Sequence, residues 1–208
     1  MKIILTNDDG IDAPGIQALV KVVNNKNVII AAPQEYQSGY GYQVTTHRPI
    51  KLQRCSKVEY RIAGTPADCV RIAVTQICED IKFVLSGTNP GGNLGVDAYI
   101  WGTVAAVREA AMHGIPGIAI SLYRKYKLNY DWDLATQWTS EILANLLERP
   151  LEPGGFSNVK LPHLLPGDTD PEFVFCQPST KPLPVNCRIE GDNFYYEDEY
   201  GKRVSEAH

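Results

Sequence analysis

The chain begins with "KIILTNDDGIDAPGI", residues 2–16, which carries the signals of one complete strand–turn–helix unit. It opens with a short, continuous apolar run, which is typical of a strand that is buried on both faces of a parallel sheet. Two adjacent carboxylates, Asp8 and Asp9, follow this run, and a helical pattern begins behind Pro14. Like charges side by side repel each other, and burial raises that cost unless a cation or strong donors compensate. The stretch therefore predicts a strand, a turn where positive charge is expected, and a helix.

The alternation of strand and helix continues along the chain. Apolar runs predict four strands, at Ile3 to Leu5, Val28 to Ala32, Phe83 to Leu85 and Ile118 to Ile120. Apolar residues three and four positions apart predict helices behind Pro14, behind the capping-box-like Thr65-Pro66-Ala67-Asp68, over residues 103–113, and from Leu134 to Leu146. This alternation is typical of an α/β fold, doubly wound around a mostly parallel sheet with helices on both faces. In such a fold the ligand binds at the carboxyl ends of the strands.

Composition narrows the class of protein. The chain has 208 residues, of which 44% are hydrophobic, so it can bury a sizeable core. Its formal net charge of -4 gives no overall field that would favour a nucleic-acid polymer or an anionic membrane. The five cysteines are odd in number and lack C-x-x-C spacing, which speaks against a disulfide framework or a zinc knuckle. We expect a soluble protein of the reducing cytoplasm, without a signal peptide or a membrane span.

The composition changes at residue 150. Eight of the fourteen prolines fall in residues 150–208, and we do not expect such a segment to continue a parallel sheet. The sequence therefore predicts a core at residues 1–149 and an irregular, proline-rich C-terminal arm at residues 150–208. The stretch "NFYYEDEYGKRV", residues 193–204, is a candidate hairpin in this arm. We expect the arm to serve subunit contact rather than chemistry.

Three loops that follow predicted strands have similar compositions: "TNDDGIDAPG" (6–15), "APQEYQSGYG" (32–41) and "SGTNPGGNLG" (86–95). We call them the first, second and third loops, and they should meet at one edge of the sheet. Asp8 and Asp9, the Ser38 hydroxyl and an asparagine amide of the third loop would form an all-oxygen set, which suits Mg²⁺ or Mn²⁺ rather than zinc. None of the four histidines lies in these loops.

Each of these features also has a plain structural interpretation. The acids of the first loop could cap a helix or close a turn by meeting backbone donors, which we expect for Asp12. Ser38 could be an ordinary turn residue, and the third loop could simply be flexible. The convergence of three loops favours a metal site. The chain contains no G-x-S-x-G, Walker or G-x-G-x-x-G motif, which weakens the serine-hydrolase, P-loop and dinucleotide interpretations.

Taken in order, the motifs resemble the SurE (survival protein E) family of metal-dependent nucleotidases. The resemblance runs through "TNDDGIDAPGI", "APQEYQSG", "GTPADCV", "SGTNPGGNLG", "GTVAAVREA" and "GIPGIAIS", over about the first 120 residues. It implies a Rossmann-like core, one divalent cation (Mg²⁺ or Mn²⁺) per subunit, and hydrolysis of nucleoside 5′- and 3′-monophosphates. The implied partner is this small molecule, bound by a homodimer or homotetramer, with no nucleic-acid polymer and no membrane.

The resemblance also implies roles for particular residues. The implied metal ligands are Asp8, Asp9, Ser38 and Asn89. Independently of the resemblance, Asp8 and Asp9 are the candidate catalytic residues: one of the two would orient or deprotonate the attacking water, and the sequence does not separate their roles. The residues implied near the phosphate are Asn93 and Thr103, with the backbone N–H groups of Gly92 and of the helix start at Gly102.

Two features depart from the family pattern. Trp101 stands where the family usually has a small hydroxyl residue, and it would either fill a core gap or form a wall for a nucleobase. Family members usually continue into further strand structure, whereas this sequence stops at "RVSEAH". Two other functions stay open: a non-catalytic nucleotide-binding module, and an aspartyl-phosphate phosphotransferase, which would usually space its acids as D-x-D.

Overall fold

A computed structural model describes residues 1–23, 27–124, 129–149, 151–164, 168–182 and 186–197. Its main sheet consists of Lys2–Thr6 (β1), Val28–Pro33 (β2), Leu52–Arg54 (β3), Glu59–Ile62 (β4), Ile81–Pro90 (β5), Gly117–Leu122 (β6) and Phe156–Leu161 (β7). The strand order is β3-β4-β2-β1-β5-β6-β7. Neighbouring strands are parallel except for the edge pair β3 and β4, which is antiparallel.

Helices pack on both faces of this sheet. They are Pro14–Val23 (α1), Pro66–Ile72 (α2), Asp97–Ile100 (α3), Gly102–Met112 (α4) and Trp132–Leu146 (α5), and a π-helical turn, Ala73–Ile77, continues α2. On one face, α1 and α5 pack on Leu5 and Leu85. On the other face, α2 and α4 pack on Ile4 and Val84. The predicted fold, a Rossmann-like, doubly wound α/β sheet, is confirmed.

The elements that were predicted from local signals, namely apolar strand runs and a helix cap, are present in the structure. Each of the four predicted strands lies within an observed one, and Ile4 and Leu5 at the centre of β1 are fully buried. The capping box before α2 is also present: Thr65 Oγ1 accepts a 3.1 Å hydrogen bond from the Asp68 N–H, and the Asp68 carboxylate accepts one of 3.0 Å from the Thr65 N–H. These bonds satisfy donors that the first helical turn would otherwise leave unpaired.

Residues beyond position 149 do contribute to the parallel sheet, so the expectation that they would not is wrong. Phe156–Leu161 forms β7, which pairs in parallel with β6 over six residues. Pro153 and Pro162 flank this strand and do not interrupt it, and β7 is an edge strand, where proline is tolerated. Val159 and Leu161 bury their side chains in the same core as Leu5 and Leu85, on the face where α1 and α5 pack. Short strands can therefore lie between prolines.

The rest of the C-terminal arm is irregular over residues 168–182 and ends in a hairpin of Cys187–Glu190 (β8) and Asn193–Tyr196 (β9). A hairpin was predicted, but its turn lies at residues 191–192, before the predicted stretch, and residues 198–208 lie outside the described part. The division at residue 150 and the role in subunit contact stay predictions. Within the described ranges, no helix has the length and apolarity needed to span a bilayer.

The start of α1 packs directly on the end of β5. A Cβ atom built on Gly15 would lie 1.9 Å from the carbonyl oxygen of Thr88. Only glycine permits this approach, because any side chain would collide with the backbone of the neighbouring element. The close contact brings the first loop next to the third loop at the carboxyl edge of the sheet.

A buried carboxylate ties the segment after the second loop to α4. Glu109 is 1% exposed and accepts hydrogen bonds from Arg71 Nε, at 2.7 Å, and from the Tyr42 hydroxyl. Its Oε1 lies 3.1 Å from His113 Nε2. Burial acts to raise the pKa of Glu109, but the hydrogen bonds from Arg71, Tyr42 and His113 outweigh it, and the pKa lies below its ordinary value. Because Tyr42 follows the second loop, this cluster holds that loop against the helix.

Replacing Glu109 with glutamine should lower the free energy of unfolding by about 2–3 kcal/mol at pH 7, because Arg71 loses its anionic partner. Since the folded-state pKa is depressed, the wild type should lose this stabilisation as the pH falls below about 4.5 and through the folded value. Glu109→Gln should lack that acid-side loss. Urea unfolding at pH 7 and at pH values of roughly 3 to 5 measures both effects.

Glu148→Gln is the matched control, because Glu148 is exposed near the end of α5. It should change the free energy of unfolding by less than about 0.5 kcal/mol. A Glu109→Gln variant that is as stable as Glu148→Gln at pH 7 would show that the cluster does not anchor the loop.

Candidate active site

Asp8 is the buried centre of the site. It lies just past the end of β1 and is 1% exposed. Its Oδ1 accepts a 2.7 Å hydrogen bond from the hydroxyl of Thr103, in the first turn of α4. Its Oδ2 is also buried and has no hydrogen-bond partner among the described residues. Burial raises the pKa of Asp8, and the hydrogen bond from Thr103 opposes this shift.

Asp9 adds a second carboxylate beside the first. It is less buried than Asp8, but its Oδ2 is inaccessible to solvent and likewise lacks a hydrogen-bond partner in the described part of the chain. Burial, and after it the charge of Asp8, raise the pKa of Asp9 to about 7. Two neighbouring carboxylates, each with an unsatisfied oxygen, fit a divalent cation, because such an ion would remove both the repulsion and the missing hydrogen bonds.

Thr103 connects Asp8 to the third loop. Nδ2 of Asn93 lies 3.1 Å from Thr103 Oγ1 and 2.9 Å from Ser121 Oγ, and both contacts are hydrogen bonds between buried side chains. Asn93 has a φ of +41°, in the left-handed region that asparagine adopts more readily than most residues. Asp8, Thr103 and Asn93, which come from three separate parts of the chain, therefore form one hydrogen-bonded series.

The N-terminus of α4 lies against Asp8. A Cβ atom built on Gly102 would lie 2.8 Å from the Asp8 Cβ and 3.2 Å from its Oδ2. Because glycine allows this approach, the first N–H groups of an eleven-residue helix lie beside the carboxylate. The positive end of a helix favours anions, so a phosphate at this position would be stabilised.

The second loop reaches Asp8 through its backbone. The N–H of Gln37 donates a 2.8 Å hydrogen bond to the carbonyl oxygen of Asp8. Ser38 follows and is half-buried. On its other side, a Cβ atom built on Gly39 would lie 3.7 Å from the ring of Trp101. Ser38 is thus held between a residue bonded to Asp8 and a residue in contact with the start of α4.

Asn89 lies on a strand rather than in a loop, because β5 continues to residue 90. It pairs with Ser121 of β6, beyond an irregularity in the register, and is 8% exposed. Its Nδ2 donates a 3.3 Å hydrogen bond to the carbonyl oxygen of Gly91, so its amide oxygen is the atom it can offer to a cation. Gly92 lies just beyond the end of β5, and a Cβ atom built on it would lie 3.1 Å from the ring of Tyr123.

The predicted residues thus gather at the carboxyl edge of the sheet, with different degrees of contact. Hydrogen bonds join Asp8, Thr103 and Asn93, while Gly102 packs on Asp8. A backbone hydrogen bond from Gln37 brings Ser38 close to Asp8, and the pairing of β5 with β6 places Asn89 at the same edge of the sheet. Their joint coordination of one ion stays a prediction.

Some residues at this edge escaped the sequence analysis. Ser121, which accepts from Asn93, directly follows the predicted strand Ile118 to Ile120, and a hydroxyl after an apolar run was the available signal. Asn7 closes the turn after β1 by donating a 2.7 Å hydrogen bond to the carbonyl oxygen of Gly10. Both positions are small polar residues at strand ends, where single-sequence patterns give them no distinct role.

Asp12 behaves differently from expectation. It was expected to meet backbone donors, but its carboxylate accepts hydrogen bonds of 2.5 and 2.6 Å from Arg61, which lower its pKa.

Trp101, for which two roles stayed open, is half-buried and precedes α4 as the N-cap residue. Its ring borders the second loop at Gly39. Neither role is decided by these contacts.

Comparison with known proteins gives a consistent result. The chain matches the family described as "Survival protein SurE" over residues 3–181. A protein from Nostoc sp. (strain PCC 7120), named "Putative 5'-nucleotidase alr3139", is 72% identical over 203 residues, covering 98% of this chain and 90% of that protein. The 5'-nucleotidase SurE of Syntrophomonas wolfei is 38% identical over 174 residues, covering 81% of this chain and 66% of that protein.

A solved structure supports the same assignment. The crystal structure of the SurE protein from Aquifex aeolicus superimposes with a TM-score of 0.73 at 32% sequence identity, over 79% of this chain and 67% of that one. The sequence match also extends well beyond the first 120 residues that carried the motifs. This chain therefore belongs to the Survival protein SurE family.

Proposed function

We propose that this protein is a divalent-metal-dependent 5′-nucleotidase that hydrolyses nucleoside 5′-monophosphates, and also 3′-monophosphates, to nucleoside and phosphate. The observation that carries the proposal is the half-satisfied carboxylate of Asp8, buried beside Asp9 and under the N-terminus of α4. The names of the relatives, which are 5′-nucleotidases, support the reaction class.

Four side chains would hold the cation: Asp8, Asp9, Ser38 and Asn89. All offer oxygen, which suits Mg²⁺ or Mn²⁺. The unpartnered Oδ2 atoms of the two aspartates supply most of the negative charge. Once bound, such a cation would polarise a phosphate oxygen and lower the pKa of the attacking water.

The remaining residues act on the phosphate and the water. Thr103, whose hydroxyl donates to Asp8, and Asn93, whose amide donates to Thr103 and Ser121, would line the phosphate site and hold its shape. The first N–H groups of α4, at Gly102, and the backbone N–H of Gly92 would donate to the phosphoryl oxygens as charge develops on them.

Asp9 would orient the attacking water and accept its proton, and its greater accessibility among the two acids supports this choice. The water oxygen bonds to phosphorus as the ester P–O bond breaks, and the departing nucleoside oxygen takes a proton from solvent. Asp8 keeps its hydrogen bond from Thr103 throughout the reaction and so fixes the position of the Thr103 side chain.

We also propose that the protein works in the cytoplasm as a homodimer or homotetramer, with the proline-rich arm as the subunit contact. The arm leaves Val174, Phe175 and Phe194 largely exposed in the single chain, which is the pattern of a surface that is covered by a partner. Sedimentation of the purified protein measures the subunit number.

Replacing Asp8 with asparagine should reduce the turnover of nucleoside monophosphates by at least about a thousandfold at saturating Mg²⁺ or Mn²⁺. Asparagine keeps the acceptor for Thr103 but removes the charge, so the melting temperature should stay the same or rise. Phosphate release is measured with and without EDTA, which should abolish the wild-type activity. Asp133→Asn, at an exposed position on α5, is the control and should turn over like the wild type.

Unchanged turnover of the Asp8→Asn variant would refute the site. Wild-type protein that releases no phosphate in any of these metals would instead be a binding module. Label retained on the protein after rapid quenching with a phosphate-labelled substrate would indicate a phosphotransferase.

Removing the Thr103 hydroxyl tests the hydrogen-bonded series separately from the metal. Thr103→Ala should lower kcat by roughly 10- to 100-fold, because Asp8 and Asn93 both lose a partner. Thr103→Ser keeps the hydroxyl and should recover most of that loss. Steady-state kinetics at saturating metal measures both variants, and equal turnover of the two would show that the hydroxyl takes no part.

A further inference from the structure

A series of hydrogen bonds leads from Asp8 to the edge of the sheet. Asp8 accepts from Thr103, which in turn accepts from Asn93. The carbonyl oxygen of Asn93 accepts a 3.4 Å hydrogen bond from Nδ2 of Asn158, on β7. Oδ1 of Asn158 accepts from the amine of Lys160, two residues further along the same strand. An amine on the edge strand is thus connected to the proposed catalytic carboxylate through three side chains.

Lys160 has unusual surroundings for a lysine. It lies near the carboxyl end of β7, paired with Ser121 of β6, the residue that holds the amide of Asn93. Burial lowers the pKa of Lys160 to about 7, and the charge of Asp97, at the start of α3, opposes this shift. Placing an ammonium group in such a position costs free energy, so stability alone does not explain a lysine here.

The lysine decides which way the Asn158 amide points. An asparagine amide offers an acceptor oxygen on one side and a donor nitrogen on the other, and the Lys160 amine donates to the oxygen through an N–H group. Lys160 therefore takes Oδ1 of Asn158 and leaves Nδ2 facing the Asn93 carbonyl. With the amide reversed, its oxygen would face that carbonyl and two acceptors would repel each other.

Asn93 needs such a restraint more than most residues. Its left-handed backbone is less favourable than an ordinary conformation, and the two glycines before it add little stiffness. Ser121 and Thr103 hold its side chain, while Asn158 holds its carbonyl oxygen. Both ends of the residue must be fixed if the third loop is to keep one conformation beside the phosphate site.

We infer that Lys160 is a positioning residue: by orienting the Asn158 amide, it holds the third loop so that Asn93 keeps its place beside the proposed phosphate site. Its effect on turnover rests on the proposed function. Its effect on the structure of the loop does not, so the two can be tested apart.

Hydrogen exchange over residues 91–97, followed by mass spectrometry, tests the structural effect. In Lys160→Met these backbone amides should exchange at least about tenfold faster than in the wild type. Lys160→Arg keeps a permanent donor and should restore the protection. Lys57→Met removes an exposed lysine between β3 and β4, and as the matched control it should leave exchange unchanged.

Kinetics at saturating metal tests the effect on the reaction. Lys160→Met should lower kcat by roughly 10- to 100-fold, with Mn²⁺ affinity unchanged, and Lys160→Arg should recover most of that loss. In an Asn93→Ala background, Lys160→Met should cause no further loss, because the residue that it positions has been removed. The melting temperature should stay the same or rise, since the variant removes an amine from surroundings that disfavour its charged form.

A Lys160→Met variant with wild-type exchange and turnover would overturn the inference, as would an additional loss in the Asn93→Ala background. Asn158→Leu removes the amide itself and should reproduce the effects of Lys160→Met, so wild-type behaviour of that variant would also overturn it. If the wild-type protein shows no metal-dependent phosphate release, the proposed function fails, while hydrogen exchange still decides the role of Lys160.

Discussion

A carboxylate buried at the end of a parallel strand is the constraint on which the site depends. Asp8 is 1% exposed, and the Thr103 hydroxyl donates to its side chain. A charge in such a place is costly unless positive potential lies close to it. The start of α4, packed so closely that Gly102 leaves no room for a Cβ atom, supplies part of that potential. The proposed cation at the unpartnered oxygen would supply the rest.

The sheet explains why distant residues serve one carboxylate. Parallel strands end at the same edge, so the segments after β1, β2, β5 and β6 meet there. Backbone contacts set their spacing, as in the hydrogen bond from Gln37 to Asp8 and the packing of Gly15 on Thr88. Because β7 joins the same edge, Asn158 and Lys160 extend the polar series outward from the centre of the sheet.

The sequence predicted the elements whose signals are local. Continuous apolar runs marked four strands, and the capping box at Thr65 marked the start of α2. β7 was missed because proline content was judged over the whole segment from residue 150, whereas the strand needs only six residues between two prolines. Asp12 was misjudged for a different reason. Its partner, Arg61, is 49 residues away in the sequence, and the pairing of β2 with β4 brings Arg61 to this edge of the sheet.

The chemical character of the site is readable from the residue order: adjacent acids, a hydroxyl and amides follow buried strands, in an order that placed the chain in its family. Which of these atoms meet depends on the folded chain. Thr103 lies 95 residues from Asp8, and Asn158 lies 65 residues from Asn93. Contacts over such separations are set by strand order and by close packing at single glycines, which leave no periodic trace in the sequence.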